Sequence, residues 1–276
     1  MNKRKPWQTF VLYAAVSVIS IIILYPYAVM FLTALKTNEE MYALEQIFPQ
    51  IWQWSNFKDI WSMAPLMRYL MNSFIIAGGA TVITILCGVP AAYALARMKF
   101  KGKGFFMGAV IMSQMFSPVV LLIGIYRLMV TLNLTDSLVG LILLNAAFNQ
   151  AFAIWLLRGT FRNISMEIEQ AARIDGCGTG KALVKILLPV AAPGIVTTLI
   201  FVFINAWNEY TIALTLISTD VFKPLTVGIN VFYGFNFIQW QYLFATSLIA
   251  TIPVVILFLL IEKHLVTGLT AGGVKG

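Results

Sequence analysis

Six long runs of apolar residues divide the sequence, and each run is long enough to cross a lipid bilayer. A transmembrane helix needs about 20 mostly apolar residues, whereas a tilted strand of a membrane barrel needs only about 10. The runs therefore predict an all-α fold, a polytopic membrane helix bundle with six transmembrane helices. The predicted spans are residues 11–35, 70–96, 105–126, 137–157, 190–217 and 240–261.

The charge content agrees with a chain whose surface largely faces lipid. Only 11% of the residues are charged and 60% are hydrophobic, whereas about 25% of the residues of an ordinary soluble domain are charged. The formal net charge of +8 does not indicate a nucleic-acid partner, because the lysines and arginines lie in short loops between the apolar runs. Composition thus excludes a water-soluble domain and argues against nucleic-acid binding.

The distribution of basic residues predicts which way the helices cross the membrane. Loops on the cytoplasmic side of a membrane protein carry an excess of Lys and Arg. If the N-terminus is cytoplasmic, the outer side holds only five of the 19 basic residues, namely Lys36, Lys58, Arg68, Arg127 and Lys223. We therefore expect both termini to be cytoplasmic.

One acidic residue and several amides interrupt the apolar runs. Glu209 is the only charged residue well inside a predicted span, and Asn205 lies one helical turn before it on the same face. Asn149 and Asn208 are further amides in predicted spans. Two interpretations are open for these side chains: hydrogen bonds between helices, or a polar route for an uncharged, hydroxyl-rich solute. For Glu209, a structural acid near the outer end of its helix is an equal alternative.

The connection between the fourth and fifth spans, residues 158–189, is longer than a passive connector needs to be. Residues 166–175 are predicted to form a short helix, with Ser165 as its N-cap. Ala171 and Ala172 are expected to give this helix a low-relief surface that fits a groove on another protein. A compact helical insertion of this kind favours a docking element.

The sequence contains no constellation of side chains that points to catalysis or to a metal site. Residues 178–181 resemble part of a nucleotide-binding P-loop, but Asp175 stands where the motif needs Gly, and Ala182 stands where it needs Ser or Thr. The single histidine, His264, is expected to be an interfacial anchor after the last span. We therefore expect a transporter subunit and not an enzyme. The alternative is a stand-alone secondary transporter or channel for a neutral polar solute, which a single intramembrane acid argues against.

A motif in the same loop resembles a known family. Glu169-Gln170-Ala171-Ala172-Arg173-Ile174-Asp175-Gly176, followed by residues 186–189, resembles the EAA loop of ABC importer permeases. Residues 207–209 and the ending 268–276 resemble the maltose-type carbohydrate permeases, and this resemblance covers essentially the whole chain. Two positions depart from the motif: Gln170 replaces the glutamate that names it, and Ser165 replaces the usual proline.

The resemblance implies that residues 1–276 form the single transmembrane domain of an ATP-driven importer for a sugar, a di- or oligosaccharide, in the inner membrane. Two separate ATPase subunits of such an importer bind ATP and Mg, so this chain is expected to bind no cofactor or metal. Further implied partners are a second permease subunit, in a heterodimer, and an external solute-binding protein.

The resemblance also implies roles for particular residues, with residues 158–189 as the coupling loop. The ATPase contacts that it implies are Glu169, Gln170, Ala171, Ala172, Asp175 and Gly176. The tail from Thr267 onward is expected to approach the ATPase pair. The residues expected near the solute route are Asn149, Asn205, Asn208 and Glu209.

Overall fold

The computed structural model describes residues 6–42, 47–234 and 237–271, and the side chains of residues 7–41, 47–234 and 237–260. Some sequence-based expectations fall elsewhere. The basic residues at the two ends of the chain and the last residues of the tail lie outside the described residues. His264 and Thr267 lie in a helix, in a stretch whose side chains are not described.

Of the described backbone, 81% is helical, and this confirms the predicted all-α class. In chain order the helices are α1 Pro6–Ala34, α2 Asn38–Tyr42, α3 Asn56–Met63, α4 Leu66–Arg97, α5 Lys103–Ser113, α6 Pro118–Thr131, α7 Leu138–Asn163, α8 Met166–Ile174, α9 Thr179–Ala182, α10 Leu188–Trp207, α11 Thr211–Leu216, α12 Leu225–Gly228 and α13 Trp240–Ala271. Five helical stretches of the described chain are long and apolar enough to cross a membrane, and there are six if the bent pair α5–α6 counts as one span.

The third predicted span, residues 105–126, is not one helix. α5 and α6 meet at an angle of 99° across a break of four residues. Pro118 explains the break, because it has no backbone N–H to continue α5 and disfavours a helical conformation in the residue before it. Ser117 accordingly has an extended backbone, with φ −67° and ψ 133°. The prediction counted apolar residues and gave no weight to this proline.

The fifth span was predicted at residues 190–217, but the structure places it earlier in the chain, at Thr179–Trp207. α10 ends at Trp207, and residues 208–210 separate it from the short helix α11. At its other end, α9, a π-helical turn at Leu183–Leu187 and α10 form one continuous apolar helix. Pro189 lies inside this continuous helix, just after the π-helical turn. The fifth span therefore begins inside the loop that precedes it.

Contacts divide the chain into two compact units, and the first comprises residues up to 66 together with 229–252. In this unit the buried side chain of Asn56 donates a hydrogen bond of 2.9 Å to the last carbonyl oxygen of α1, so it caps that helix. Trp52 and Trp54 are exposed and stack with ring centroids 6.5 Å apart. Exposed aromatic rings next to an apolar helix are typical of the headgroup level of a membrane.

The second unit, residues 67–228 with the chain from 253 onward, contains a core formed by α4, α7 and the α9–α10 helix. Tyr93 of α4 and Phe161 of α7 meet edge to face with ring centroids 5.9 Å apart. α7 and α10 approach so closely that a methyl group added at Gly194 would collide with Thr160. This core brings the loop between α7 and α10 against the end of α4.

Candidate functional site

The loop between α7 and α10 folds into α8 because the residues at both ends of this helix satisfy its backbone. Ser165 Oγ accepts a hydrogen bond of 3.2 Å from the backbone N–H of Glu167, which confirms the predicted N-cap. After α8, Gly176 has a φ of +81°, a left-handed conformation that glycine adopts without strain. The backbone N–H of Cys177 then donates to the carbonyl oxygen of Ala172 at 2.9 Å. α8 is therefore capped at its start and closed at its end by local contacts.

One face of α8 and the turn after it are exposed. Ile174 lies on this face and is 86% exposed, an unusual position for a large apolar side chain in a loop outside the apolar spans. The sequence analysis did not single out Ile174. A signal was available, because Ile174 lies four positions after Gln170 and three after Ala171, both expected contact residues. We define the exposed α8 face as Gln170, Ala171, Ile174, Asp175 and Gly176.

The other two residues expected to contact an ATPase, Glu169 and Ala172, are buried within the chain. They are 4% and 2% exposed and lie three positions apart, on the opposite side of α8. Glu169 therefore does not face outward, and Ala172 is not part of an exposed low-relief surface. The expectation placed two adjacent alanines on one surface, although consecutive helical residues point about 100° apart.

Glu169 is the centre of a hydrogen-bonded cluster that joins α8 to α4. Its carboxylate accepts the hydroxyl of Tyr93 at 2.9 Å and a guanidinium nitrogen of Arg173 at 2.7 Å. The Nε of Arg97 lies 3.6 Å from the second carboxylate oxygen, and the side chains of Arg97 and Glu169 are 6% and 5% exposed. The hydrogen bond to Glu169 raises the pKa of Arg173, so this guanidinium stays charged.

Arg97, the last residue of α4, extends the same cluster to the end of α7. One terminal nitrogen donates to the carbonyl oxygen of Ile164 at 2.6 Å, and the other contacts the sulfur of Met166. Ile164 follows the last residue of α7, and Met166 is the first residue of α8. The guanidinium of this α4 residue therefore touches the end of α7 and two places on α8. We refer to Tyr93, Arg97, Glu169 and Arg173 as the Glu169 cluster.

The amides expected along a solute route connect α7 with α10. Asn205 Nδ2 donates to Asn149 Oδ1 at 3.2 Å, and Asn149 Nδ2 donates to the carbonyl oxygen of Asn145 at 2.8 Å. Asn149 is 8% exposed, which fits a hydrogen bond between helices. Asn205 and Asn208 are instead exposed. Because an exposed amide group is costly in hydrocarbon, these two side chains favour contact with water or with another polar chain.

Glu209 caps a helix and is not an isolated intramembrane acid. Its two carboxylate oxygens accept the backbone N–H groups of Ile212 at 2.7 Å and Ala213 at 3.0 Å, at the start of α11. Its carbonyl oxygen accepts the hydroxyl of Thr226 at 2.8 Å. This geometry supports the structural alternative. A cavity of about 10 Å³ beside Glu209 has room for roughly one water molecule, far less than a sugar needs.

The chemistry that these groups offer is binding and positioning. Within residues 6–42, 47–234 and 237–271, no three His, Cys, Asp or Glu residues could together hold a metal ion. The exposed amides of α10 provide hydrogen-bond donors and acceptors without charge. The exposed α8 face presents small and apolar side chains, and the Glu169 cluster joins that helix to the end of α4.

Comparison with known proteins gives consistent results over most of the chain. Residues 84–270 match the family described as "Binding-protein-dependent transport system inner membrane component". The sulfoquinovosyl glycerol transport system permease protein SmoH of Agrobacterium fabrum is 35% identical over 266 residues, which cover 96% of this chain and 93% of that protein. The trehalose transport system permease protein SugB of Mycobacterium tuberculosis is 35% identical over 84% of this chain and 85% of its own length. The melibiose/raffinose/stachyose import permease protein MelC of Bacillus subtilis is 31% identical over 91% of both chains.

A solved structure has the same fold. A chain of a bacterial ABC transporter involved in the import of the acidic polysaccharide alginate superposes with a TM-score of 0.80, and the match covers 95% of this chain and 99% of that one. At 22% identity this likeness concerns the fold alone. The family consists of inner-membrane permeases that work with a separate ATPase and a solute-binding protein. Since the family match covers well over half of the sequence and the relatives exceed 30% identity over most of it, the chain belongs to the inner membrane components of binding-protein-dependent transport systems.

Proposed function

We propose that this chain is the permease subunit of an ABC importer for a neutral di- or oligosaccharide. The observation that carries the sugar class is the likeness, over most of the chain, to permeases named for sulfoquinovosyl glycerol, for trehalose and for melibiose, raffinose and stachyose. The exposed amides of α10 fit such a solute, because an amide can donate to and accept from hydroxyl groups without adding charge.

In this proposal residues 1–276 form one transmembrane domain, with both termini and the coupling loop, residues 158–189, in the cytoplasm. The distribution of basic residues supports that orientation. A second, related permease completes the pathway as a heterodimer, and an external binding protein delivers the sugar. Two ATPase subunits bind ATP and Mg and carry out all hydrolysis.

The exposed α8 face is the proposed contact with an ATPase. A large apolar side chain as exposed as Ile174 is suited to act as an anchor that fills a pocket on a partner. Ala171 and Gly176 are small, so a groove can close around the helix and the turn that follows it. Gln170 provides a neutral hydrogen bond where the motif's glutamate would provide a stronger, charged one. A helix gripped in this way transmits rigid-body movement to the spans that flank it.

The proposed solute route runs along two exposed amides, Asn205 of α10 and Asn208 directly after its end. The hydrogen bond from Asn205 to Asn149 holds the first of these amides in place. Glu209 stabilises the turn that follows by capping α11, and it supports the route without binding the solute.

Recovery of an ATPase with the detergent-solubilised chain tests the coupling proposal. Ile174→Asp and Ala171→Arg each place a charge on the exposed α8 face. We expect either to reduce the recovered ATPase about tenfold or more, since loss of an interface anchor costs about 2 kcal/mol or more. Thr179→Asp is the matched control, because Thr179 is exposed in the same loop and begins α9, where an acidic residue is favourable.

Two results would contradict the coupling proposal. If the wild-type chain recovers no ATPase under mild conditions that preserve other membrane complexes, the importer proposal fails. Equal recovery by Ile174→Asp, Ala171→Arg and the wild type would show that the ATPase docks on another surface.

Uptake of radiolabelled trehalose, melibiose and raffinose by vesicles that contain the complete transporter tests the substrate class and the route. We expect Asn205→Leu and Asn208→Leu each to weaken uptake by roughly 5–10-fold, the value of about one hydrogen bond. Ser247→Ala is the control, because the hydroxyl of Ser247 donates to its own helix.

Each way in which the uptake experiment can fail has a distinct meaning. Wild-type uptake constants in both asparagine variants would refute the route. Uptake of none of the three sugars would refute the proposed class, and sugar uptake that persists without any ATPase would favour a stand-alone transporter.

A further inference from the structure

We propose that the Glu169 cluster is the link that makes α8 move as one body with the ends of α4 and α7. This inference rests on the proposed coupling function of α8. It assigns Glu169 a positioning role inside the chain and not a contact with the ATPase. The observation behind it is one buried carboxylate that meets three side chains, of which two belong to α4 and one to α8.

Burial makes this carboxylate dependent on its partners. A carboxylate removed from water is stable only when it is paired and hydrogen-bonded. One oxygen of Glu169 accepts both the Tyr93 hydroxyl and the Arg173 guanidinium. The other oxygen faces Nε of Arg97 at 3.6 Å, and neither of these two atoms makes a hydrogen bond within the described structure. Because Glu169 is buried and charged and its partners Tyr93 and Arg97 belong to α4, it is fixed to the end of that helix.

Apart from its contacts with α9 and the π-helical turn, α8 has few buried side chains that attach it to the core. It has nine residues, and only two of them, Glu169 and Ala172, are buried. Ala172 contributes a single methyl group, which buries little apolar area. The hydrogen bonds and ion pairs of Glu169 are therefore the main side-chain attachment of α8. Without them the helix would be held chiefly by the chain on either side.

Arg97 fixes the place where the chain enters α8. Its guanidinium donates to the carbonyl oxygen of Ile164 and contacts Met166, so it spans the junction between α7 and α8. The last carbonyl groups of a helix lack intrahelical partners, and a cation is favourable there. The same side chain thus holds the end of α7, the start of α8 and, through Glu169, the middle of α8.

This arrangement gives force a direct path. A push on the exposed α8 face reaches α4 through Tyr93 and Arg97 without passing through the loop backbone. Rigid-body movement of a packed group of helices is a common way for such a push to reach a distant site. Loss of the link should let α8 move with the ATPase while α4 stays behind.

Amide hydrogen exchange in the complete purified transporter tests the link. Glu169→Gln keeps the shape of the side chain and removes its charge. We expect residues 166–176 to exchange about tenfold faster or more than in the wild type, because hydrogen bonds between charged groups are roughly twice as strong as neutral ones. Glu167→Gln, an exposed glutamate two positions earlier on α8, is the matched control.

A second readout separates a link from a merely structural role. In the wild type and in Glu167→Gln, ATP should change exchange at residues 93–97 together with residues 166–176. In Glu169→Gln the change at residues 93–97 should disappear although the ATPase is still recovered. If Glu169→Gln does not fold, Tyr93→Phe removes one hydroxyl only, and we expect the same effects at roughly threefold size.

The inference and the proposed function fail in different ways. If the ATPase is recovered with Glu169→Gln and both sets of residues respond to ATP as in the wild type, the link does not exist and the inference is overturned. If the wild type recovers no ATPase, the coupling function fails. Faster exchange at residues 166–176 of the isolated Glu169→Gln chain would then still support the attachment of α8 to α4.

Discussion

Replacement of Glu209 separates a structural cap from an acid that binds solute or carries protons. The Glu209 carboxylate accepts two backbone N–H groups at the start of α11, from Ile212 at 2.7 Å and from Ala213 at 3.0 Å. Both of these residues are 2% exposed, so water cannot replace the carboxylate in Glu209→Ala. Loss of an N-cap costs about 1 kcal/mol, and an unsatisfied buried donor costs about 1–3 kcal/mol. We therefore expect Glu209→Ala to destabilise the chain by about 2–3 kcal/mol, and Glu209→Gln, which keeps one acceptor oxygen, by about 1 kcal/mol.

The apparent Tm of the purified chain in detergent measures this difference. Each kcal/mol shifts Tm by about 2–4 °C in a domain of roughly this size, so Glu209→Ala should lower Tm by about 4–12 °C and Glu209→Gln by less. Glu39→Gln is the control, because Glu39 is an exposed acid in the first turn of α2. Sugar uptake by the same variants should fall only as far as their stability falls. An unchanged Tm in Glu209→Ala together with abolished uptake would refute the cap and point to direct contact with the solute.

Three further predictions concern contacts elsewhere in the second unit. Backbone N–H groups after α11 donate hydrogen bonds to the carboxylate of Asp136 and lower its pKa. The stabilisation that this ionised carboxylate gives the chain is complete above the ordinary Asp pKa of about 4 and is lost as pH falls through the lowered pKa. Asp136→Asn should therefore flatten the acid side of a Tm–pH profile. Gly228→Ala should lower Tm, because the added methyl group would collide with the buried ring of Tyr69 at a cost of about 1–3 kcal/mol. Gly78→Ala is the control, because its methyl group meets open space and should not lower Tm. Equal Tm values for the two variants would contradict this prediction. Asn72→Ala leaves two carbonyl oxygens of the 220–223 turn without their hydrogen-bond donor. The variant should therefore destabilise the chain by about 1–3 kcal/mol, which is measured as a lower Tm. An unchanged Tm would mean that water donates to these oxygens instead.

The apolar runs predicted the fold class because a bilayer demands one simple property, length without charge. They could not predict which prolines interrupt a helix. Pro26, Pro90, Pro193 and Pro253 lie inside continuous helices, whereas α6 begins at Pro118 after a break. A proline is tolerated when neighbouring helices and side chains satisfy the backbone groups that it frees. That condition depends on tertiary packing and leaves no local mark in the sequence.

The loop shows the same division between local and distant causes. The Ser165 cap of α8 was predictable from the sequence because it is decided within a few residues. The inward direction of Glu169 was not readable, because Tyr93, its partner, lies 76 positions earlier in the chain. A buried acid is costly without a partner, so only knowledge of the partner predicts burial.

The two faces of α8 together explain how a glutamine can occupy the motif's acidic position. The charge of Glu169 is paired with Arg97 and Arg173 inside the chain, so it contributes little electrostatic potential at the outer face of α8. With Gln170 neutral, the centre of the exposed α8 face is uncharged, and its large apolar side chain, Ile174, is 86% exposed. An interface of this kind gains its affinity more from an apolar anchor in a pocket than from ion pairs. The strength of such a contact depends on how well the shape of the helix fits the pocket. Shape is reproducible only if the helix is held in one orientation, which is the role that the Glu169 cluster has in the proposed mechanism.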